Sequence, residues 1–305
     1  MTSRGVPIVW SSTYEVDLGP HVFVTAKYRL TRAALLARGT VTEAHILPPV
    51  PATREELGGV HTDEYLRKID DDTFSPFERA QLEVPFTPEL REAMVLCCGG
   101  TLLAARLAMD DGVAVHLGGG FHHAFAGHGE GFCLLNDVAV AAGVLLKESA
   151  VRRVAVVDLD VHHGNGTASI FAGEPAVFTF SMHQENNYPA LKPPSDLDLG
   201  LEDGTGDDEY LDLLVRHLPR MLDDHRPDVV FYLAGADPYL RDQLGGLSLT
   251  RDGLRQRDKT VFSLVRERGR PVVAVLAGGY AHRLEDTVSI HVSTVEEAVA
   301  ASTVP

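Results

Sequence analysis

Short runs of apolar, largely β-branched residues recur along the chain, separated by longer amphipathic stretches. Such runs are typical of strands that are buried on both faces of a parallel sheet. The predicted strands are Val113–Leu117, Val154–Val157, Ala176–Phe180, Val229–Leu233 and Val272–Leu276. The stretches between them place apolar residues three or four positions apart, which predicts helices. The predicted helices are Pro88–Met109, Asp137–Lys147, Asp207–Asp223 and the segment after Thr250, a residue suited to an N-cap.

This alternation indicates an α/β fold: an open, mainly parallel β-sheet with helices on both faces. A chain of 305 residues, 45% of them hydrophobic, can bury a large core of that kind. No Ser/Pro-rich linker, block of like charge or internal repeat divides the sequence. We therefore predict a single domain over residues 1–305.

Composition restricts the classes of partner and of metal site. The formal net charge of −16 repels phosphate backbones, and no cluster of basic residues offsets it, so direct nucleic-acid binding is not expected. The segment Met1–Ser12 lacks the apolar core of a signal peptide, and about 18 consecutive apolar residues occur nowhere, so we expect a cytoplasmic protein without a membrane span. The cysteines Cys97, Cys98 and Cys133 are too few for a cysteine-rich zinc module. The oligomeric state is not predicted.

Polar residues directly follow four of the predicted strands. Because the carboxyl ends of parallel strands meet at one edge of a sheet, these residues are expected to share one crevice. The four segments are Gly-Gly-Gly-Phe-His-His (118–123), Asp-Leu-Asp-Val-His-His (158–163), Ala-Gly-Ala-Asp (234–237) and Ala-Gly-Gly-Tyr (277–280).

Asp158, Asp160 and His162 are spaced by two at the end of a strand, so their side chains point to the same side of an extended chain. Asp160 and His162 can then bind one ion, with Asp237 as the third ligand. Two carboxylates and one imidazole, with one coordination position left open, are typical of catalytic zinc. The oxygen-rich set is also compatible with Fe(II) or Mn(II). The alternative is a solvated loop with turn-forming acids.

His122 and His123 follow three glycines, which allow the backbone to turn sharply against a ligand. Two adjacent imidazoles suit proton transfer near neutral pH. A pair of metal ligands, or one core and one surface histidine, are the alternatives. Tyr280 follows two glycines and would bring a phenol to the same crevice, where its hydroxyl can stabilise an oxyanion. A lone tyrosine in such a position otherwise packs.

Several motifs resemble the histone deacetylase family in order and spacing, from about Pro7 to Arg283. They are Gly-Gly-Gly-Phe-His-His-Ala (118–124), Gly-Phe-Cys (131–133), Asp-Leu-Asp-Val-His-His-Gly-Asn-Gly (158–166), Ala-Gly-Ala-Asp (234–237), Leu-Gly-Gly-Leu (244–247) and Gly-Gly-Tyr (278–280). Two further stretches, residues 61–66 and 204–211, look most like the class IV branch. The resemblance implies an arginase/deacetylase-like fold and a zinc-dependent amidohydrolase that removes acetyl or longer fatty acyl groups from lysine through a metal-activated water.

The resemblance also implies roles for individual residues. The metal ligands would be Asp160, His162 and Asp237. The catalytic residues would be the pair His122 and His123, the oxyanion donor Tyr280, Asp158 as the partner of His122, and Asn165 as the partner of His123. The acyl-lysine channel would be lined by Gly131, Phe132, Tyr188 and Leu244. A structural potassium ion would lie near Asp158, Asp160, His162, Ser181 and Met182.

The different partners of the two histidines suggest different roles. A carboxylate beside an imidazole favours its protonated form, whereas a neutral amide does so far less. We therefore hypothesise that His123 is the neutral general base and that His122 holds a positive charge. Among the remaining histidines, which are expected to pack or lie on the surface, His183 is the main exception.

The same residues are compatible with other functions. An acylated polyamine or another small amide could replace acyl-lysine as substrate, and the pocket could belong to a catalytically silent acyl-lysine binder. A ureohydrolase of the arginase type would need Asp-x-His-x-Asp clusters for two metals, whereas the order here is Asp-x-Asp-x-His. Larger family members often anchor the substrate backbone with a rim acid, but no residue between Asp70 and Pro88 clearly matches one.

Overall fold

The computed structural model describes residues 5–303. Residues 1–4 and 304–305 lie outside the described residues. The predictions made for the single domain over residues 1–305 and for the segment Met1–Ser12 therefore fall partly outside the described residues. The described strands are β1 (Ile8–Val9), β2 (Ile46–Leu47), β3 (Val113–His116), β4 (Val154–Asp158), β5 (Val177–Gln184), β6 (Leu197–Leu201), β7 (Val229–Leu233) and β8 (Val272–Val275). They form one eight-stranded sheet in the order β2-β1-β3-β8-β7-β4-β5-β6, and every pairing is parallel.

Among residues 5–303, ten α-helices connect or cover the strands. They are α1 (Ala26–Ala37), α2 (Arg54–Leu57), α3 (Asp63–Asp71), α4 (Pro76–Leu82), α5 (Pro88–Asp111), α6 (Asp137–Lys147), α7 (Asn165–Phe171), α8 (Asp207–His225), α9 (Arg251–Arg266) and α10 (Leu284–Ala301). Short 3-10 turns occupy Ser12–Tyr14 and Glu43–His45. The predicted fold class, a mainly parallel sheet with helices, is confirmed.

The five predicted strands correspond to β3, β4, β5, β7 and β8, whose central positions are buried on both faces. Helix α9 begins where the sequence predicted, and the Thr250 side chain accepts a hydrogen bond from the Gly253 amide. Strands β1 and β2 were not predicted because each has only two residues. Strand β6 was not predicted because its edge position leaves alternate side chains exposed, so it lacks a continuous apolar run.

The strand order gathers the motif-bearing loops at one edge of the sheet. Strand β4 lies between β7 and β5, and its last residue, Asp158, is paired with Leu233 and Ser181. Strand β8 lies between β7 and β3, so Val275 is paired with Leu233 and His116. The loops after β3, β4, β7 and β8 therefore emerge side by side at the carboxyl edge, where open α/β sheets bind ligands.

Helix α5 is the one helix among the described residues that is long and apolar enough to cross a membrane by length and composition. In its most apolar 18-residue window, 67% is buried inside the protein, and the helix packs against α6 and β3. A helix in the core of a globular protein has the same properties, so this observation is weak evidence for a membrane span.

Candidate active site

Asp160, His162 and Asp237 lie together at the carboxyl ends of β4 and β7, and all three are buried. His162 Nδ1 is 3.0 Å from Asp160 Oδ1 and 3.5 Å from Asp237 Oδ2. Two backbone amides hold the loop after β4 in place by hydrogen bonds to carboxylates. The Asp160 amide donates to Asp158 Oδ1, and the Val161 amide donates to Asp237 Oδ1. The folded backbone thus holds the two strand ends against each other and brings the three predicted ligands to one point.

These residues fit a divalent cation. Asp237 Oδ2 is buried and has no hydrogen-bond partner among the described residues, since the nearest N–H of His162 is too far away. Asp160 Oδ2 accepts one hydrogen bond, from the Gly278 amide. A Cβ atom on Gly278 would come within 1.8 Å of Asp237 Oδ2, so only glycine leaves room for this oxygen. Buried carboxylate oxygens without partners are costly unless a cation binds them.

The pKa values of the same groups are shifted in opposite directions. Burial alone would raise the pKa of Asp160, but the charges of His122 and His162 outweigh it and lower that pKa. Burial would lower the pKa of His162, but the hydrogen bond to Asp160 and the negative charges of Asp160 and Asp237 raise it to about 10. Burial and the charge of Asp160 raise the pKa of Asp237 to about 7. The cluster therefore retains protons that a bound divalent cation would displace.

His122 and His123 stand beside this cluster with ring centroids 4.1 Å apart. His122 Nδ1 lies 2.6 Å from Asp158 Oδ2, and His123 Nδ1 lies 2.7 Å from Asn165 Oδ1. Although burial acts to lower the pKa of His122, the charges of Asp158 and Asp160 raise it to about 9. Burial and the charges of His122 and His162 instead lower the pKa of His123 well below its usual range. The pair thus combines one charged and one neutral imidazole near pH 7.

Tyr280 closes the other side of the crevice. Its backbone amide donates to Asp242 Oδ2 at 2.6 Å, and the same carboxylate accepts hydrogen bonds from the amides of Leu244 and Gly245. Burial and the charges of Asp160 and Asp237 raise the pKa of Tyr280 well above 10, so its hydroxyl is protonated and can donate. Asp242 therefore positions both Tyr280 and Leu244, a role that no sequence pattern indicated beyond its place between two motifs.

A channel leads from the solvent to these residues through a cavity of about 160 Å³. The four residues predicted to line it all do so, together with residues of the metal and histidine clusters. The lining consists of Gly131, Phe132, Tyr188, Leu244, Glu83, His123, His162, Asn187 and Tyr280. Phe132 adopts a φ of 70°, which is uncommon for a bulky residue, and its ring centroid lies 5.8 Å from that of Tyr280.

A second, much smaller cavity of about 20 Å³ lies next to the cluster. Apart from residues of the metal cluster, the histidine pair and the channel, it is lined by Phe23, Tyr28, Phe121, Cys133 and residues of the glycine-rich loops. This volume holds about one water molecule.

Besides Asp242, sequence reasoning missed three further charged residues around the site. Glu83, just past α4, lies in the channel wall, within the stretch where no rim acid was recognised. Lys27 on α1 is completely buried and donates to the Ala277 carbonyl at 2.8 Å, with its ammonium 5.4 Å from the Tyr280 ring centroid. Arg257 on α9 is also completely buried. No local pattern distinguishes these residues from surface charges.

Arg257 supports the loops of the metal cluster from behind. Its Nη1 donates to the carbonyls of Gly235 and Leu159, at 2.7 and 3.2 Å, and its other nitrogens contact Asp258. Asp258 in turn accepts from Tyr232 and Thr294. A buried ion pair therefore joins α9 and α10 to both ligand-bearing loops.

Some of the residues predicted to bind a potassium ion are neighbours in the sheet. Asp158 and Ser181 are paired between β4 and β5, and Met182 follows Ser181 directly. The Ser181 hydroxyl lies 2.9 Å from His183 Nδ1. The potassium site stays a prediction.

The sequence matches the histone deacetylase domain family over residues 21–295. The chain belongs to the histone deacetylase family. Histone deacetylase 2 of Arabidopsis thaliana is 32% identical over 90% of this chain and 74% of its own length. An uncharacterized protein of a Picosynechococcus species is 40% identical over 94% of this chain and 96% of its own length.

Comparison with solved structures finds the same fold. The crystal structure of the HDA15 HD domain superposes with a TM-score of 0.80, covering 98% of this chain and 89% of that one, at 24% sequence identity. The predicted arginase/deacetylase-like architecture is thereby confirmed, as is the resemblance to the histone deacetylase family. Membership in this family makes the protein a hydrolase of the deacetylase type.

Proposed function

We propose that this protein is a zinc-dependent amidohydrolase that removes acyl groups from lysine side chains. The observation that carries the proposal is the meeting of Asp160, His162 and Asp237 at the inner end of a channel, beside one charged and one neutral histidine. When bound there, a zinc ion would act as a Lewis acid and favour deprotonation of water. Fe(II) suits the same oxygen-rich ligands. A cytoplasmic location and membership in class IV are also proposed, on sequence grounds only.

The residues of the chain supply the remaining chemistry. His123, neutral near pH 7, accepts a proton from the attacking water through its free ring nitrogen. The Tyr280 hydroxyl donates a hydrogen bond to the oxyanion that develops on the amide carbonyl oxygen. His122, paired with Asp158, keeps its positive charge beside the developing negative charge. A histidine then protonates the leaving amine, which departs through the channel.

The small cavity next to the cluster favours short acyl groups. Its volume of about 20 Å³ accommodates a group the size of a water molecule and is too small for a fatty acyl chain. We therefore propose acetyl-lysine as the preferred substrate, rather than lysine that carries one of the longer fatty acyl groups that the family resemblance also implied.

An acetylated polyamine is the second candidate substrate, and the charge of the channel mouth favours it. Glu83 lies in the wall of the channel, and Glu130 lies nearby: burial and the charge of Glu130 both raise the pKa of Glu83. Together with the net charge of −16, these carboxylates attract a cationic leaving group. A catalytically silent acyl-lysine binder is not favoured, since Tyr280 and all three proposed ligands are present.

A turnover panel tests both candidates. The purified zinc-loaded protein is assayed with acetyl-, octanoyl- and myristoyl-lysine peptides and with acetylated polyamines, and kcat/KM is compared. We expect the acetyl-lysine peptide to exceed both long-chain peptides. Glu83→Gln, which is isosteric but uncharged, is expected to lower kcat/KM for the polyamines more than for a neutral peptide. Absence of turnover on every substrate at full zinc occupancy would overturn the proposed function.

A further inference from the structure

A second group of metal-ligating side chains lies beside the candidate active site, near the carboxyl end of β5 and the amino end of β6. It consists of His163, His183 and Asp198, whose candidate ligand atoms lie within 4.8 Å of one another. We call these three residues the β5–β6 cluster. It shares no residue with the group of Asp160, His162 and Asp237, so it is not the second half of a two-metal site bridged by a carboxylate.

Sheet register explains why these residues meet. Ser181 is paired with Asp198 and His183 with Gly200 across β5 and β6. Side chains two apart on a strand share a face, so Ser181 and His183 face the same side as Asp198. Gly200 carries no side chain that would fill the space beside His183. His163 enters from the loop after β4.

The distances suit ligands that share one ion. His163 Nε2 lies 3.1 Å from Asp198 Oδ1, and the two imidazole centroids are 4.7 Å apart. His183 Nδ1 contacts the Ser181 hydroxyl, which leaves Nε2 for another partner, and the nearest carboxylate oxygen to that Nε2 is Glu185 Oε2 at 3.9 Å. An ion bound by His163 Nε2 would replace the contact of this nitrogen with Asp198, while the buried His163 Nδ1, on another side of the ring, has no partner in the described part of the chain.

Access and ligand chemistry point to a particular class of ion. The side chains of His163 and His183 are almost fully buried, whereas 32% of the Asp198 side chain is exposed. An ion can therefore enter from the solvent along Asp198 and Glu185 and reach two fixed imidazoles. Two imidazoles and one carboxylate are a ligand set typical of tetrahedral zinc, with Glu185 or water for the fourth position.

We propose that His163, His183 and Asp198 form a second binding site for a divalent transition-metal ion of the zinc class. Occupancy joins β5 and β6 to the loop after β4, because His163 directly follows His162. The site is independent of the proposed hydrolysis: its existence does not require the protein to turn over any substrate.

Metal stoichiometry tests this proposal. The full-length protein is stripped with a chelator and dialysed against excess Co²⁺, and bound cobalt is measured by elemental analysis and by visible absorption. We expect two ions in the native protein, one in Asp237→Asn, one in Asp198→Asn, and none in the double variant. One ion in the native protein, or two in Asp198→Asn, would overturn the proposal.

Two further variants distinguish the loss of a metal ligand from a general effect of charge or of misfolding. Glu202→Gln removes one negative charge just beyond β6 from an exposed side chain, and it is expected to keep both ions. His183→Gln replaces a ligand without changing the charge of a neutral imidazole and is expected to lose the second ion. If circular dichroism shows that Asp198→Asn does not fold, the metal content of His183→Gln is the test of the second site. Two bound ions in His183→Gln would refute the site. Turnover is assayed separately, so loss of activity and loss of the second ion are distinguished.

Discussion

The side-chain amide of Asn165 donates from Nδ2 to Glu130 Oε1 at 2.6 Å. Burial acts to raise the pKa of Glu130, but hydrogen bonds from His128, Gln81 and Asn165 lower it to about 2, so this carboxylate can only accept. The amide oxygen of Asn165 must then face His123. Nδ1 of His123 therefore carries the ring proton, and its other nitrogen is left free to accept one.

This relationship predicts how the pH dependence of turnover responds to a charge at position 165. A carboxylate beside His123 raises the pKa of the imidazole. As the pH is lowered, the neutral form that a base requires is therefore lost at a higher pH than in the native protein. We expect Asn165→Asp combined with Glu130→Gln, which preserves a donor–acceptor contact between the two side chains, to move the acid limb of the kcat/KM profile to higher pH. An unmoved acid limb would remove the support for His123 as the base. Glu130→Gln alone serves as the control.

Loss of the Tyr280 hydroxyl is expected to reduce kcat by about 100-fold to 1,000-fold, the usual effect of removing one oxyanion donor. The variant is Tyr280→Phe, and its zinc content should equal that of the native protein. Tyr188→Phe removes a phenol from the channel wall and is the matched control, with a smaller expected effect. Comparable losses in both variants would argue against a specific role for Tyr280.

The sequence predicts those parts of the site whose positions follow from local residue spacing and from the ends of predicted strands. The segment Asp158–His162 continues a buried strand with a spacing of two, and that alone places Asp160 and His162 on one side. The burial of Lys27 was not predictable, because its partner Ala277 is 250 residues away and nothing in the pattern of α1 marks this position as fully enclosed. Glu83 was missed for a related reason: only the fold brings the end of α4 to the channel.

Substitution of Gly278 tests the space around the ligands. A Cβ atom there would overlap Asp237 Oδ2, so we expect Gly278→Ala to displace that carboxylate and to lower zinc affinity. Gly127→Ala is the control, since a Cβ at that position meets no atom within 4 Å. Zinc affinity is measured by competition with a chromogenic chelator. Equal affinities in the two variants would show that Asp237 does not need the space.

Removal of the buried arginine is expected to destabilise the protein. Arg257→Met leaves Asp258 buried without its cation and the carbonyls of Gly235 and Leu159 without their donor. Breaking a buried ion pair in this way costs about 3–5 kcal/mol of unfolding free energy. Urea unfolding measures this loss. The double variant Arg257→Met/Asp258→Asn should recover part of it, and a single variant as stable as the native protein would contradict the assigned role.

The proposed zinc site can be observed in an anomalous difference map at the zinc absorption edge, from crystals of the zinc-loaded protein. We expect a peak about 2.0–2.2 Å from His162 Nδ1 and from one carboxylate oxygen each of Asp160 and Asp237, with one side open to the channel. Absence of a peak among these three residues, in crystals that contain bound zinc elsewhere, would contradict it.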